Sequence, residues 1–262
     1  MTPRGSANDR RLLPRVVGVI RSRADLDFAI RMRKPPDLFE LRLDHLAGFV
    51  DELEKKLSRL RKPLIITARH PQEGGANKLS VRQRRDLLSR FLPHARYIDI
   101  ELRSAAAIYS LLNVARKKNV RRIISFHDLK GTPNLGRLRA RARRAKSLGA
   151  DIFKVATRTD TPAQLARLLE FTTKKEPPLS GTERRRTDVG IAVSAMGIGK
   201  LGAISRVLLA YRGSALVYGS VVAASDIEGQ MSLEQLRAFG IGTSNRRRVA
   251  DAVPGKKMTK RQ

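Results

Sequence analysis

Eight short apolar runs, separated by stretches of helical period, constrain this chain more than any other feature. They are Val16–Ile20, Leu38–Leu43, Leu64–Thr67, Tyr97–Leu102, Arg122–Ser125, Ile152–Val155, Val189–Ser194 and Leu216–Tyr218. Each is short and rich in β-branched or aromatic residues, as a strand buried on both faces must be. In the stretch Leu135–Leu148, Leu138, Ala142 and Ala145 fall at i, i+4 and i+7, while Arg137, Arg141 and Arg144 fall on the other face of one surface helix. Thr161-Pro162-Ala163-Gln164 reads as a helix start with Thr161 as cap, and Ser232-Leu233-Glu234-Gln235 as a capping box. Strands alternating with helices in this number predict an α/β fold, a (β/α)₈ barrel, for which 262 residues is a typical length. An open doubly wound sheet is the alternative. It calls for a glycine-rich phosphate loop after the first strand, and Val16-Val17-Gly18-Val19-Ile20-Arg21 has none.

The ends read differently. Residues 1–13 are polar, and residues 246–262 carry seven basic residues against the single acid Asp251, so both are expected to be flexible tails around one catalytic domain, residues 14–245. The stretch Thr172–Thr187 reads as a long exposed loop before the seventh strand. There is no cysteine, which excludes a disulfide scaffold, a thiolate nucleophile and an iron–sulfur cluster. Four histidines without ligand spacing argue against a metal centre, and no cofactor is expected. The first fourteen residues lack the apolar core of a signal peptide, and no apolar run reaches a membrane span. The expectation is a soluble cytoplasmic protein. Lys and Arg outnumber Asp and Glu by 54 to 24, a net charge of +30 that attracts polyanions without regard to sequence. The basic residues are spread along the chain and not interleaved with aromatics, so a base-stacking platform is not expected.

In a barrel the chemistry sits at the C-terminal ends of the strands. Glu40, Arg42 and Asp44 alternate with leucines and share one face. Lys154 is the most informative residue. It lies among Ile152, Phe153, Val155 and Ala156, where an ammonium is costly unless paired or neutralised. It is either a structural ion pair with Glu40 or Glu101, or an amine that burial and the nearby Arg42 and Arg69 discharge, able to form a Schiff base with a ketone. His127 follows the buried run Ile123–Phe126 and is expected one strand over from Lys154 at the same level, suited to move a proton beside an imine. Arg42, Arg69 and Arg206 together suggest a small anionic, hydroxylated substrate.

The ordered set Glu40-Leu-Arg42-Leu-Asp44, Thr67-Ala-Arg69 with Glu73-Gly-Gly75, Asp99-Ile-Glu101, Ser125-Phe-His127-Asp128, Asp151-Ile-Phe-Lys154-Val-Ala156, Ser205-Arg206 and Gly229-Gln230 resembles the type I 3-dehydroquinate dehydratases, Schiff-base enzymes of the shikimate pathway. The resemblance runs from about residue 15 to 240. It implies a cofactor-free barrel, usually a homodimer, that converts 3-dehydroquinate to 3-dehydroshikimate by syn elimination. It further implies that Lys154 forms the imine, that His127 moves the proton and that Glu73 partners the histidine. Glu40, Arg42 and Arg69 are then the residues that hold ring hydroxyls, and Arg206, Ser225 and Gln230 those that hold the carboxylate. Two stretches are longer than the pattern, Met196–Arg206 and Ser225–Gln230. The second adds Asp226 and Glu228, which are expected to face solvent. Two other classes are kept beside this one: a different Schiff-base barrel of the aldolase type, and a non-catalytic basic barrel that binds nucleic acid.

Overall fold

The computed structural model describes residues 14–173, 189–222 and 227–242. The expected tails at 1–13 and 246–262, most of the expected loop Thr172–Thr187, and Ser225 with Asp226 lie outside the described residues. Thr172 itself ends a helix, its Oγ1 donating to Leu168 O.

Eight parallel strands alternate with helices, as the apolar runs predict. The strands are β1 (Arg15–Ile20), β2 (Leu38–Arg42), β3 (Leu64–Thr67), β4 (Ala95–Glu101), β5 (Arg121–Asp128), β6 (Ile152–Arg158), β7 (Ala192–Ile198) and β8 (Leu216–Ser220). The helices are α1 (Arg23–Arg31), α2 (Leu43–Leu46), α3 (Val50–Lys56), α4 (Val81–Phe91), α5 (Tyr109–Lys117), α6 (Leu135–Ser147), α7 (Pro162–Thr172), α8 (Gly202–Tyr211) and α9 (Leu233–Ala238). Ladders run in order from β7 down to β1, and β1 pairs in turn with β8, which curls the sheet into a barrel. At the remaining seam Ala215 N donates to Val193 O (2.7 Å), Ser194 Oγ to Leu216 O (2.9 Å), and Ala195 N to Ser214 Oγ (3.1 Å). Two serines thus close what a ladder closes elsewhere.

The strand faces divide the work. Outward residues such as Ile20, Leu41, Ile66, Ile100, Phe153 and Val155 meet the helices in the larger core. Phe153 meets Phe171 of α7 edge-on at 6.2 Å between ring centroids, and Phe153→Ala would cost about 3–5 kcal/mol. Inward residues build layers. The floor is apolar, made by Val17, Leu38, Ile65, Tyr97, Ile123, Ile152 and Leu216. Above it the inward positions turn polar, with Glu40, Thr67, Asp99, Ser125 and Lys154 all buried.

The caps are those the sequence signals. Thr161 and Gln164 box the start of α7 behind Pro162, and Ser232 and Gln235 box α9. On α6, Leu138, Ala142 and Ala145 are buried, while the Arg141 guanidinium lies 4.1 Å from the Phe126 ring centroid. The largest boundary difference is β7, expected at Val189–Ser194 and found three to four residues later. Gly190 has a φ of +66°, so the chain turns there before it extends. Both β5 and β6 run past their apolar runs, because His127, Asp128, Thr157 and Arg158 keep pairing after the hydrophobic pattern stops. Among the described residues no helix is long and apolar enough to cross a membrane.

Candidate active site

Lys154 points into the barrel and is 4% exposed. Its Nζ donates to Asp99 Oδ2 at 2.9 Å and to Glu40 Oε1 at 3.2 Å, and lies 3.9 Å from the centroid of the Tyr218 ring. The expected partnership with Glu40 is present. The alternative with Glu101 is not, because Glu101 is committed to two arginines. Its Oε1 accepts from Arg69 Nη1 (3.1 Å) and His70 N (2.9 Å), and its Oε2 from Arg84 Nη1 (2.9 Å). Arg69 also grips Asp99 with both terminal nitrogens, at 3.1 and 3.3 Å, and Ser125 Oγ donates to Asp99 at 2.6 Å. Three carboxylates, Glu40, Asp99 and Glu101, thereby face three cations, Lys154, Arg69 and Arg84. A charge layer this deep is tolerable only when paired in this way.

The electrostatics follow. Burial alone raises the Asp99 carboxyl, but Arg69 and then Lys154 outweigh it and hold it far below the usual carboxylate range. Burial opposes the Arg69 charge, and Asp99, Glu101 and Glu40 more than restore it. Burial, then Glu40 and Asp99, push the Tyr218 phenol well above its ordinary value, and its hydroxyl has no hydrogen-bond partner among the described residues.

His127 stands above this layer. The register pairs Ser125, not His127, with Lys154, and sets His127 opposite Ala156. The expectation of one level is therefore corrected by two residues. Side chains alternate along a strand, so Lys154, Ala156, Ser125 and His127 still share the inward face. Glu73 Oε2 accepts from His127 N at 3.0 Å and lies 2.9 Å from His127 Nδ1. Burial, then the charges of Arg69 and Lys154, push His127 well below its usual value. Burial, then Glu101, raise Glu73 to about 7. The pair is a neutral imidazole beside a carboxyl near its own midpoint at neutral pH.

Glu73 reaches this position through a tight turn. Its N–H and that of Gly75 both donate to His70 O, at 2.9 and 3.0 Å. A Cβ on Gly75 would lie 2.2 Å from Arg69 O, so only glycine fits. Arg42 secures the same loop from β2. It forms a two-point pair with Asp44 (3.0 and 2.8 Å) and donates to Gly74 O at 3.0 Å. Burial opposes the Asp44 charge, but Arg42 outweighs it and holds the carboxyl low.

Arg206 is 3% exposed and donates to the carbonyls of Gly197 (2.8 Å), Gly202 (3.1 Å) and Gly229 (2.5 Å). Among the described residues its Nε has no partner, and burial pushes the guanidinium down to about 10. No carboxylate among the described residues pairs with it. A buried cation in that state is set to receive an anion. Gly202 and Gly229 touch so closely that a Cβ on Gly202 would lie 2.8 Å from Gly229 Cα, which seats residues 227–230 on the turn after β7. Glu228 turns outward, as expected, and accepts from Arg158 Nη2 at 3.3 Å.

One cavity of about 290 Å³ joins these groups. Glu40, Arg42, Arg69, Glu73, His127, Lys154, Arg206 and Gln230 all line it, together with Met196 and Tyr218. Of the residues picked out from sequence, only Ser225 is left, outside the described residues. Sequence reasoning passed over Arg84 and gave no role to Asp99 or Tyr218, although Asp99 stands in the motif Asp99-Ile-Glu101. Arg84 had a signal: with Leu88 and Phe91 it falls on the buried stripe of α4.

The Type I 3-dehydroquinase family model matches residues 21–239. The chain is 28% identical over 227 residues to a 3-dehydroquinate dehydratase of Thermodesulfovibrio yellowstonii, spanning 86% of this chain and 93% of that protein. It is 30% identical over 221 residues to the catabolic 3-dehydroquinate dehydratase of Acinetobacter baylyi, spanning 80% and 77%. A type I 3-dehydroquinate dehydratase structure from Clostridium difficile, with covalently modified comenic acid, superposes with a TM-score of 0.73 at 25% identity over 87% of this chain and 91% of that one. The family match begins where β1 ends and closes where α9 ends, nearly the whole barrel, and the chain belongs to the type I 3-dehydroquinase family.

Proposed function

We propose that this cavity dehydrates 3-dehydroquinate to 3-dehydroshikimate through an imine on Lys154. The observation that carries the reading is Lys154 itself: a buried amine opening on a cavity, with the His127–Glu73 pair one layer above it. Lys154 Nζ gives up one proton and adds as the free amine to the substrate's ketone carbon, and the ketone oxygen departs as water carrying that proton and one more from the nitrogen. The protonated imine that results draws electrons from the neighbouring C–H bond. His127 removes that proton. The C–O bond of the hydroxyl on the next carbon then breaks, and His127 returns a proton to the departing oxygen, so water leaves from the same face. A second water hydrolyses the imine and restores Lys154 and the ketone.

Glu73 serves this step by accepting from Nδ1–H, which leaves Nε2 as the free base. Arg42, Arg69 and Glu40 are assigned the ring hydroxyls. Arg206, with Gln230 and Ser225, is assigned the carboxylate, a role supported by a charge that no carboxylate among the described residues pairs. The family resemblance also supports a homodimer, which light scattering of the purified chain would read directly.

The test is ultraviolet absorbance during incubation with 3-dehydroquinate, followed by borohydride reduction and peptide mass analysis. The expected result is growth of the conjugated product's absorbance and a substrate-sized mass gain on the Lys154 peptide. Lys154→Ala is expected to lose both. Turnover retained in that variant would remove the imine from the mechanism.

A further inference from the structure

The opposite end of the barrel carries charges that the dehydration does not use. Arg15 and Arg121 are the first residues of β1 and β5, on well-separated strands of the barrel. By strand alternation both face inward, below Val17 and Ile123. Both reach the same atom. Arg15 Nη1 donates to Tyr97 Oη at 2.9 Å and Arg121 Nη1 donates to it at 3.0 Å. Both guanidiniums also sit against the Tyr97 ring, with Cζ at 5.8 and 5.2 Å from its centroid.

Two positive groups bonded to one neutral oxygen lie within about two hydrogen-bond lengths of each other. Their repulsion has no compensation among the described residues. The acids at this end are engaged elsewhere: Asp37 Oδ2 accepts from Val16 N, and Asp151 Oδ2 accepts from Arg122 N and Nε. No carboxylate among the described residues pairs with Arg15 or Arg121. Tyr97 is 1% exposed, and both lone pairs of its oxygen are taken, while its own proton meets no acceptor among the described residues. The arrangement presents two planar donor forks and one hydroxyl proton at the barrel axis, and both arginines are partly open to solvent.

We propose that the N-terminal mouth of the barrel binds a small tetrahedral oxyanion, of the phosphate or sulfate class, between Arg15 and Arg121. The anion neutralises two like charges and receives charge-assisted bonds from both. The site lies at the far end of the barrel from the Lys154 cavity and does not depend on what that cavity transforms. The geometry favours a compact ion over a polymer backbone, because the two donors converge on the axis rather than along a surface groove.

The test is calorimetric titration of the full chain with inorganic phosphate, with ionic strength held constant by sodium chloride. Saturable binding is expected. Arg15→Met and Arg121→Met are each expected to weaken it about tenfold or more, while turnover of 3-dehydroquinate, which these residues do not touch, stays unchanged. Arg206→Met is expected to keep the binding. No saturable binding to the unmodified chain, binding that survives both floor substitutions, or binding lost with Arg206→Met would overturn the proposal, the last by moving the anion to the catalytic cavity. Where a substitution costs the fold, phenylglyoxal labelling of the unmodified chain answers the same question. Phosphate is expected to protect the Arg15 and Arg121 peptides, and equal labelling with and without it would overturn the site.

Discussion

Glu73 Oε2 stands 2.9 Å from His127 Nδ1 and accepts the same residue's backbone N–H at 3.0 Å, so one carboxyl oxygen fixes both the ring and the strand that carries it. The sign of its pH dependence follows from burial. Burial, then the Glu101 charge, raise Glu73 to about 7 in the folded protein, against an ordinary glutamate value of 4.5. The folded protein therefore holds a proton that the unfolded chain releases, and stability falls as pH rises from about 4.5 through 7, by up to about 3 kcal/mol. Glu73→Gln removes that loss. The variant should match the parent in denaturant unfolding near pH 4 and exceed it at pH 8, while turnover drops about 10²-fold as the histidine loses its partner. A stability difference that does not grow with pH would mean that Glu73 is ionised throughout.

Tyr218 lies beneath Lys154 with its hydroxyl buried and, among the described residues, unbonded. The two halves of the side chain pull in opposite directions. The ring attracts the ammonium, an effect of about 2 kcal/mol when desolvated, and the hydroxyl costs about 1–3 kcal/mol without a partner. Tyr218→Phe is expected to raise the unfolding free energy by about 1 kcal/mol and to keep imine trapping on Lys154. Tyr218→Leu is expected to slow trapping, since the protonated imine that forms on Nζ loses the π face. Equal trapping rates in the two variants would show that the ring does nothing for the amine.

Arg206 separates binding from chemistry. Its charge is held by three backbone carbonyls and by no acid among the described residues, so an incoming carboxylate would be its one strong counter-charge. That attraction is the same in the bound substrate and in the transition state. Arg206→Met should therefore raise KM about tenfold or more while kcat changes little. Steady-state kinetics decide it: a collapse of kcat at unchanged KM would assign Arg206 to the elimination step.

The barrel was legible because its strands are buried on both faces and therefore read as compact apolar runs. The ends of those strands were not. Polar residues such as His127, Asp128, Thr157 and Arg158 pair as well as leucines do but break the hydrophobic pattern, so β5 and β6 extend beyond the runs that the pattern marks. Lys154 was legible for the opposite reason, a charge inside an apolar run. Its choice of Asp99 over Glu101 was not, because that depends on which arginines the other carboxylate already holds, a matter of three strands and a helix. The level of His127 was likewise set by strand stagger, which no local pattern records.

Arg84 is the sharpest case of a group hidden in plain sight. It shares α4 with the exposed Arg82, Arg85 and Arg90, yet Arg84 is 1% exposed. Its Nη1 donates to Glu101 Oε2 at 2.9 Å and its Nη2 to Ser104 Oγ at 3.1 Å. Glu101 in turn fixes Arg69, and its charge is one of the causes that raise Glu73. Arg84 thus acts at a distance, as a positioning residue. Arg84→Met leaves Glu101 one cation short and is expected to cost about 3–5 kcal/mol in denaturant unfolding. A purely structural role would stop there. Because Glu101 is then more weakly compensated, the midpoint that Glu73 contributes to the pH–rate profile should also move upward. Arg84→Lys restores the charge but not the second bond to Ser104, so it should return the midpoint while recovering only part of the stability. A midpoint that stays fixed in both variants would confine Arg84 to holding the fold.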